Sequence, residues 1–186
     1  MNLRQPGALA LAACLLAAIG CGGPAARQGE ATPMTPEQKL AGLGLALPAA
    51  PKPVGAYVPA VRTGNLLFVS GQLPMREGKL MAAGHVGREV SLEAAQACAR
   101  QAALNALAVV AAEIGGLSKV ARIVRITGHV ASAPGFTDQP KVLNGASELL
   151  VQVFGDAGRH SRAAVGAAEL PLGAPLELEM IVEVQP

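Results

Sequence analysis

Residues 176–184 read Leu-Glu-Leu-Glu-Met-Ile-Val-Glu-Val. Every even position is apolar, and glutamates take most of the odd positions. Because side chains alternate between the two faces of a strand, this pattern predicts a strand with one buried face. Glu177 and Glu179 then share the other face. Glutamates on a solvated face only aid solubility, and the spacing alone does not separate that role from a functional one.

A second strand is predicted just before it, in the run Ser-Arg-Ala-Ala-Val-Gly-Ala-Ala at positions 161–168. Arg162 is the single cation in this small, apolar run. A guanidinium is a planar fork that suits a carboxylate held by two parallel hydrogen bonds. Two interpretations stay open: Arg162 binds the carboxylate of a ligand, or it forms a cross-strand ion pair with Glu177 or Glu179.

Caps, turns and periodicity place the other elements, in the order ββ-α-β-α-ββ. The predicted elements are a helix from the Thr35 cap to about Leu43, strands 57–62 and 66–70 joined by a turn at 63–65, a turn at 77–79, a helix from the Ser91 cap to about Ile114, a strand 120–130, a helix 138–154, and the two closing strands. Two helices can cover one face of such a mixed sheet, which gives an α+β fold. The other face must be buried elsewhere, so we expect an oligomer.

Composition narrows the function classes. The formal net charge of the 186 residues is +2, Trp is absent and there is one Tyr. Nucleic acid is therefore not an expected partner, because binding it takes basic patches and aromatic stacking platforms. His85, His129 and His160 have no metal-ligand spacing, so we expect no metal site, and the sequence has no phosphate-binding glycine loop. Cys98, on an apolar helix face, is interpreted as a packing residue.

The N-terminus is typical of a secretory signal. A short basic start is followed by an apolar run over residues 8–19, too short to span a bilayer stably. Ala18-Ile19-Gly20-Cys21 resembles a bacterial lipobox, in which Cys21 is lipidated. We predict a signal peptide at 1–21, a flexible linker at 22–34 and one domain at 35–186, exported as a membrane-anchored lipoprotein or a periplasmic protein. An ordinary cleaved signal and an uncleaved anchor are the alternatives.

Several residues are candidates for lining a site, each with a structural alternative. Gly71 follows Ser70 at the end of a predicted strand and would let a ligand approach the backbone, but the pair is also an ordinary turn. Tyr57 is either a rim residue or a site hydroxyl. Asn144 lies inside a predicted helix, where an asparagine is unfavourable unless its amide has a partner.

Together these segments resemble the Rid family, the reactive intermediate deaminases also called the YjgF or L-PSP endoribonuclease family. The shared positions run in order over about residues 47–186: Gly55-Ala56-Tyr57-Val58, Gly64-Asn65, Leu66 to Pro74, Asn144, Arg162, Val165, Leu170-Pro171 and Glu177. The resemblance implies a chorismate-mutase-like fold and a homotrimer with sites at the subunit interfaces. It also implies hydrolysis of small enamines and imines that carry a carboxylate, yielding a 2-keto acid and ammonia without a metal or organic cofactor.

By the same resemblance, Arg162 would bind the substrate carboxylate and Glu177 would position or activate the attacking water. Gly71 and Ala164 would offer backbone contacts, and the other pocket positions would be Tyr57, Ser70 and Asn144. Ala164 replaces a cysteine common in the family, and Gly166 replaces a frequent acidic residue, which makes the pocket less polar. A non-catalytic trimeric binder of small carboxylates, or an interaction module, is the alternative. Ribonuclease activity is disfavoured by the weak charge and the scarcity of aromatic residues.

Overall fold

The computed structural model describes residues 33–50 and 55–186. The predicted signal peptide, Cys21 and the predicted linker up to residue 32 lie outside the described residues, as do residues 51–54. Pro33–Pro186 form one compact unit.

The described chain folds into a mixed five-stranded sheet with helices, which confirms the α+β class. Its elements are α1 (Pro36–Gly42), β1 (Ala60–Thr63), β2 (Leu66–Gln72), β3 (Met75–Arg76), β4 (Lys79–Leu80), α2 (Leu92–Ile114), β5 (Val120–Ala131), α3 (Gln139–Val142), α4 (Asn144–Phe154), β6 (Ser161–Ala167) and β7 (Leu176–Val184). The sheet order is β1-β2-β7-β5-β6. β6 runs parallel to β5, the other neighbours are antiparallel, and β3 and β4 form a separate small ribbon.

The core lies between one face of the sheet and the helices. On β7 the even positions from Leu176 to Val184 are buried, as the alternation predicted. α2 packs against β7 and α4, and α1 packs against α4. α2 is long and apolar enough to cross a bilayer, with a mean hydropathy of 1.2 in its best window. However, 72% of that window is buried inside the protein, as in the core helix of a globular fold.

The predicted helix starts are confirmed. Thr35 accepts a hydrogen bond from the backbone of Gln38, whose side chain bonds back to the Thr35 N–H, forming a capping box. Ser91 caps α2 through the N–H of Ala94, 3.2 Å away. Gly115 ends α2 at φ 76°, in the left-handed region that favours glycine. These local signals lie entirely within a few neighbouring residues.

Three predicted boundaries were wrong. The strand predicted from Tyr57 begins at Ala60, because Pro59 has no N–H to donate to a ladder. The helix predicted over 138–154 is divided into α3 and α4 at Leu143, whose buried side chain packs over Gly128 in the sheet. The turn predicted at 77–79 ends one residue early, since Lys79 already belongs to β4.

The face of the sheet opposite the helices is open in the single chain and carries apolar side chains. Val61, Phe68 and Val165 are exposed there, and Ile181 is half-buried. A concavity of about 400 Å³ lies on this face; its lining residues are Val61, Phe68, Val69, Ser70, Arg125, Thr127, Glu179, Met180 and Ile181. Val61, Phe68 and Ile181 are neighbours across β1, β2 and β7, and an exposed apolar group of this kind is typical of a protein contact face.

Candidate functional site

The predicted site residues and their neighbours form two groups within one chain. The first, called here the arginine cluster, is Arg162 on β6 with Asn144 and Ser147 at the start of α4 and His160 just before β6. The second, called the glutamate cluster, is Glu177 at the start of β7 with Ser70 and Gly71 at the end of β2 and Tyr57 before β1.

Arg162 is held by side chains of α4. Its Nη1 donates to Asn144 Oδ1 at 3.0 Å and to Ser147 Oγ at 3.1 Å. Asn144 is therefore not an unpartnered asparagine in a helix interior: it is the first residue of α4, and its amide oxygen accepts from the guanidinium. Arg162 is exposed, so the rest of its fork is open to a ligand.

Two glycines allow α4 to pack closely against the edge of the sheet. A methyl group at Gly128 would overlap Leu143, and one at Gly145 would overlap the backbone oxygen of Gln96 on α2. Ala164, paired with Gly128 in the parallel register, is also small and half-buried. The start of α4 can therefore lie close enough to β6 for Asn144 and Ser147 to reach Arg162.

A β-bulge shapes the glutamate cluster. Val69 pairs with Met180 and Gln72 with Leu178, so three steps along β2 oppose two along β7. The extra residue falls at Ser70-Gly71, and bulges commonly re-aim residues beside functional sites. A methyl group on Gly71 would overlap the carboxylate of Glu177, so glycine leaves room for that side chain in its present conformation.

The carboxyl of Glu177 has a shifted pKa. It is half-buried, and burial raises the pKa of its carboxyl above the ordinary value of 4.5. The nearby His129, its partner in the β5–β7 register, opposes this rise, while Glu179 adds to it. A carboxyl with a raised pKa is better suited to exchange protons with a reacting group.

Ser70 is hydrogen-bonded to the segment just before β1, which carries Tyr57. The Ser70 hydroxyl donates to the Val58 carbonyl oxygen at 2.9 Å, and the Ser70 N–H donates to Pro59 O at 2.9 Å. These bonds hold the segment that carries Tyr57 against the end of β2. The Tyr57 side chain is 52% exposed and is available to a ligand or to another subunit.

Two buried amides support the same end of β2. Asn105 on α2 donates to the carbonyl oxygens of Leu73, at 2.9 Å, and Met75, at 3.0 Å. Gln101 donates to Asn105 Oδ1 at 2.9 Å. Both amides are at least 93% buried, and their bonds fasten the chain that leaves the bulge.

The two clusters do not meet within one chain. Arg162 pairs with Ile126 of β5 and Glu177 with His129, three residues along. With about 3.3 Å per residue and about 4.8 Å between strands, their backbones are about 14 Å apart. They also point to opposite faces, because Ile126 is in the core and His129 is on the open face. The cross-strand ion pair considered for Arg162 is therefore not formed, since β5 lies between β6 and β7.

Sequence reasoning missed Ser147, His160 and His129 as neighbours of the predicted residues. Ser147 comes three residues after Asn144, a spacing that puts both on one helix face. His160 comes two residues before Arg162, the period of a strand face. Both spacings can be seen in the sequence and could have identified Ser147 and His160. His129 had no such signal, because its place opposite Glu177 depends on the pairing of β5 with β7.

Other potential sites do not coincide with the clusters. Within residues 33–50 and 55–186, no three His, Cys, Asp or Glu side chains come together as metal ligands. The open-face concavity includes Ser70 but none of the other predicted site residues. Cys98 is buried, and burial raises the pKa of its thiol, consistent with the predicted packing role.

Comparisons with known proteins place the chain in one family. Residues 37–183 match the family model described as "YjgF/chorismate_mutase-like, putative endoribonuclease". A protein named TCP17 from Trypanosoma cruzi is 43% identical over 76% of this chain and 89% of its own length. A 2-iminobutanoate/2-iminopropanoate deaminase from Dermatophagoides farinae is 32% identical over 76% of this chain and 95% of its own length.

Solved structures agree with the fold. A protein of unknown function from Agrobacterium tumefaciens has a TM-score of 0.76 and 47% identity, over 82% of this chain and 93% of its own. The YjgF gene product of E. coli has a TM-score of 0.55 and 29% identity, over 72% and 92% of the two chains.

Proposed function

The chain belongs to the YjgF/chorismate mutase-like family, and from that premise we propose that it hydrolyses reactive imines and enamines that carry a carboxylate. The products are a 2-keto acid and ammonia. The observation that carries the proposal is the pair of functional groups: an exposed, side-chain-braced guanidinium and a half-buried carboxyl with a raised pKa. The deaminase named among its relatives supports the same chemistry.

The reaction uses these groups in separate roles. Arg162 binds the substrate carboxylate and so fixes the position of the neighbouring imine carbon. Glu177 takes a proton from water as the water oxygen bonds to that carbon, and it returns the proton to nitrogen. Glu177 then carries the hydroxyl proton of the resulting carbinolamine to the amine nitrogen, the C–N bond breaks, ammonia leaves, and the carbon keeps oxygen as the ketone. The imine is already electrophilic, so orientation and one proton carrier provide most of the catalysis.

We further propose that the working site forms between two copies of the chain in a homotrimer. The support is the separation of the clusters: Arg162 and Glu177 lie on opposite faces of one sheet and cannot reach the same small substrate. The apolar open face offers the contact surface. One subunit would contribute the arginine cluster with Ala164, and its neighbour the glutamate cluster.

The activity is tested with purified protein lacking residues 1–21 and freshly generated iminopyruvate. We expect ammonia and pyruvate to form faster with wild type than without protein, and the double variant Arg162→Ala, Glu177→Gln to match the blank. If wild type also matches the blank across several imine substrates, the deaminase proposal is wrong.

The shared site is tested by mixing. Arg162→Ala and Glu177→Gln subunits, each at least about tenfold less active than wild type at subsaturating iminopyruvate, are unfolded together and refolded in equal amounts. About a quarter of the sites should then combine an intact Arg162 with an intact Glu177, and that share of the wild-type activity should return. Recovery of no activity, or a monomer in sedimentation equilibrium at micromolar concentration, would contradict the interfacial site.

A non-catalytic carboxylate binder is the second candidate function. The arginine cluster favours it, because carboxylate binding needs Arg162, Asn144 and Ser147 but no proton carrier. Pyruvate binding by calorimetry without any ammonia release from imines would support this function over the deaminase.

Export is the third part of the proposal. Its support is the N-terminal sequence alone: the apolar run and Ala18-Ile19-Gly20-Cys21. We propose that residues 1–21 direct export and that Cys21 carries the lipid that tethers the domain to a membrane. Intact-mass analysis of the mature protein should show a lipidated Cys21, and Cys21→Ser should move the protein to the soluble fraction. An unmodified N-terminus at another residue would exclude the anchor.

A further inference from the structure

His160 is part of the arginine cluster but makes no hydrogen bond to Arg162 itself. Its Nδ1 lies 2.6 Å from the carbonyl oxygen of Gly158, and its Nε2 lies 3.1 Å from Ser147 Oγ. Ser147 Oγ in turn lies 3.1 Å from Arg162 Nη1. The proposed reaction assigns no role to either His160 or Ser147.

The chemistry of these groups determines the direction of each hydrogen bond. A carbonyl oxygen only accepts, so the His160 Nδ1 carries a hydrogen. Burial lowers the pKa of His160 below its ordinary value of 6.5; the bond to Gly158 opposes this and the positive charge of Arg162 adds to it. Above pH 6.5 the neutral ring therefore predominates, and its Nε2 is an acceptor. The Ser147 hydroxyl therefore donates its hydrogen to Nε2, and its oxygen accepts from Arg162.

Both hydrogen bonds of Arg162 are donated by one of its three guanidinium nitrogens, Nη1. Nη1 has two hydrogens, and Asn144 Oδ1 and Ser147 Oγ account for both. Among the described residues, Nε and Nη2 of Arg162 have no hydrogen-bond partner. These two atoms form one edge of the guanidinium with parallel N–H groups, the arrangement that binds both oxygens of a carboxylate.

We propose that His160 is a positioning residue: through Ser147 it holds Arg162 so that its Nε–Nη2 edge faces the substrate carboxylate. The inference rests on the carboxylate-binding role given to Arg162 in the proposed function. His160 acts on the substrate only through two other side chains. Loss of its bond to Ser147 frees the hydroxyl to rotate and loosens one of the two bonds that fix Nη1.

Steady-state kinetics of matched variants test whether His160 positions Arg162 through Ser147. His160→Asn can keep the bond to Gly158 but loses the acceptor for Ser147, and its KM for iminopyruvate should rise about three- to tenfold, the range of one neutral hydrogen bond. Its kcat should be nearly unchanged, because the carboxylate is bound equally in the ground and transition states. His160→Gln places an amide oxygen near the former Nε2 and should restore most of the affinity. The Kd for pyruvate should follow the KM.

A double variant separates this link from general destabilisation. His160→Asn should add nothing to the KM of Ser147→Ala, because both remove the same connection. Glu148→Gln is the control: Glu148 is exposed on α4 and has no hydrogen-bond partner among the described residues. Additive losses from His160→Asn and Ser147→Ala, or a wild-type KM in both, would overturn the proposal. Ser147→Ala alone carries the test if His160→Asn does not fold.

A measurement on the free protein is independent of activity. In ¹⁵N NMR spectra, wild type should give distinct Arg162 Nη signals, since one Nη is held, and these should merge in His160→Asn and Ser147→Ala. If wild type releases no ammonia and binds no pyruvate, the proposed function fails while these signals still decide the positioning role. Signals that stay the same in both variants would overturn it.

Discussion

The two clusters position their functional groups differently. In the arginine cluster, hydrogen bonds to other side chains hold the guanidinium, whereas in the glutamate cluster a glycine leaves space for the carboxylate. Arg162 is braced by Asn144 and Ser147 through two hydrogen bonds. Glu177 occupies the space that a side chain at Gly71 would fill. The first arrangement should respond to substitution in graded steps, since each bond contributes separately. The second should respond abruptly, because an added methyl group displaces the whole carboxylate.

The largest effect is expected for Glu177→Gln. It keeps the size of the side chain but removes the proton carrier, so kcat should fall by about 10²–10⁴-fold. The Kd for pyruvate should change little, because Arg162 is untouched. Parallel ammonia-release kinetics and calorimetry with pyruvate measure both quantities. Equal losses of affinity and kcat would mean that Glu177 binds the substrate rather than activating water.

Gly71→Ala removes no functional group, yet kcat should fall by about a hundredfold, the cost of misplacing a catalytic group by roughly 1 Å. The reason is the overlap between the added methyl and the Glu177 carboxylate. Gly42→Ala is the matched control, because a methyl group there meets no atom within 4 Å. Steady-state kinetics of a well-folded Gly71→Ala protein with normal turnover would remove Glu177 from the site.

Arg162→Ala should lower kcat/KM by about 10–100-fold, the value of a charged hydrogen-bonded contact, mostly through KM. Arg162→Lys should lie between Ala and wild type or close to Ala, because it keeps the charge but loses the fork. Both should melt near wild type, since Arg162 is exposed. Arg122→Lys, which alters only a surface pair with Glu183, is the control. Unchanged kcat/KM in Arg162→Ala would refute the carboxylate contact.

The smallest effect concerns stability and pH. The pKa of Glu177 is raised by burial in the folded chain, so its contribution to stability is complete below pH 4.5 and declines as pH rises through the raised pKa. The Glu177→Gln variant has no titrating carboxyl at this position, so it does not lose stability in this way as pH rises. Its Tm should match wild type at pH 4 and exceed it by about a degree or two at pH 7. Calorimetric scans that show the reverse trend would mean the carboxylate is stabilised by a partner.

Prediction from sequence succeeded where a signal lies within a few residues. The capping box at Thr35, the cap at Ser91 and the alternation from Leu176 depend on neighbours in the chain, and each was confirmed. Tyr57 was assigned to a strand because its segment has β-forming residues. Its true place depends on Pro59, which delays the ladder to Ala60. The role of every predicted site residue stays a prediction until the variants are measured.

By itself, the sequence determined which chemistry is present and which face of each strand is buried, because side-chain identity and period-two alternation are local properties. It also indicated the family, through positions that recur in order along the chain. Only the tertiary structure decided which groups meet. The insertion of β5 between β6 and β7 separates Arg162 from Glu177, and Gly128 and Gly145 bring α4 to the sheet edge where Ser147 joins His160 to Arg162. Such neighbours come from pairing and packing between distant segments, which no local pattern encodes.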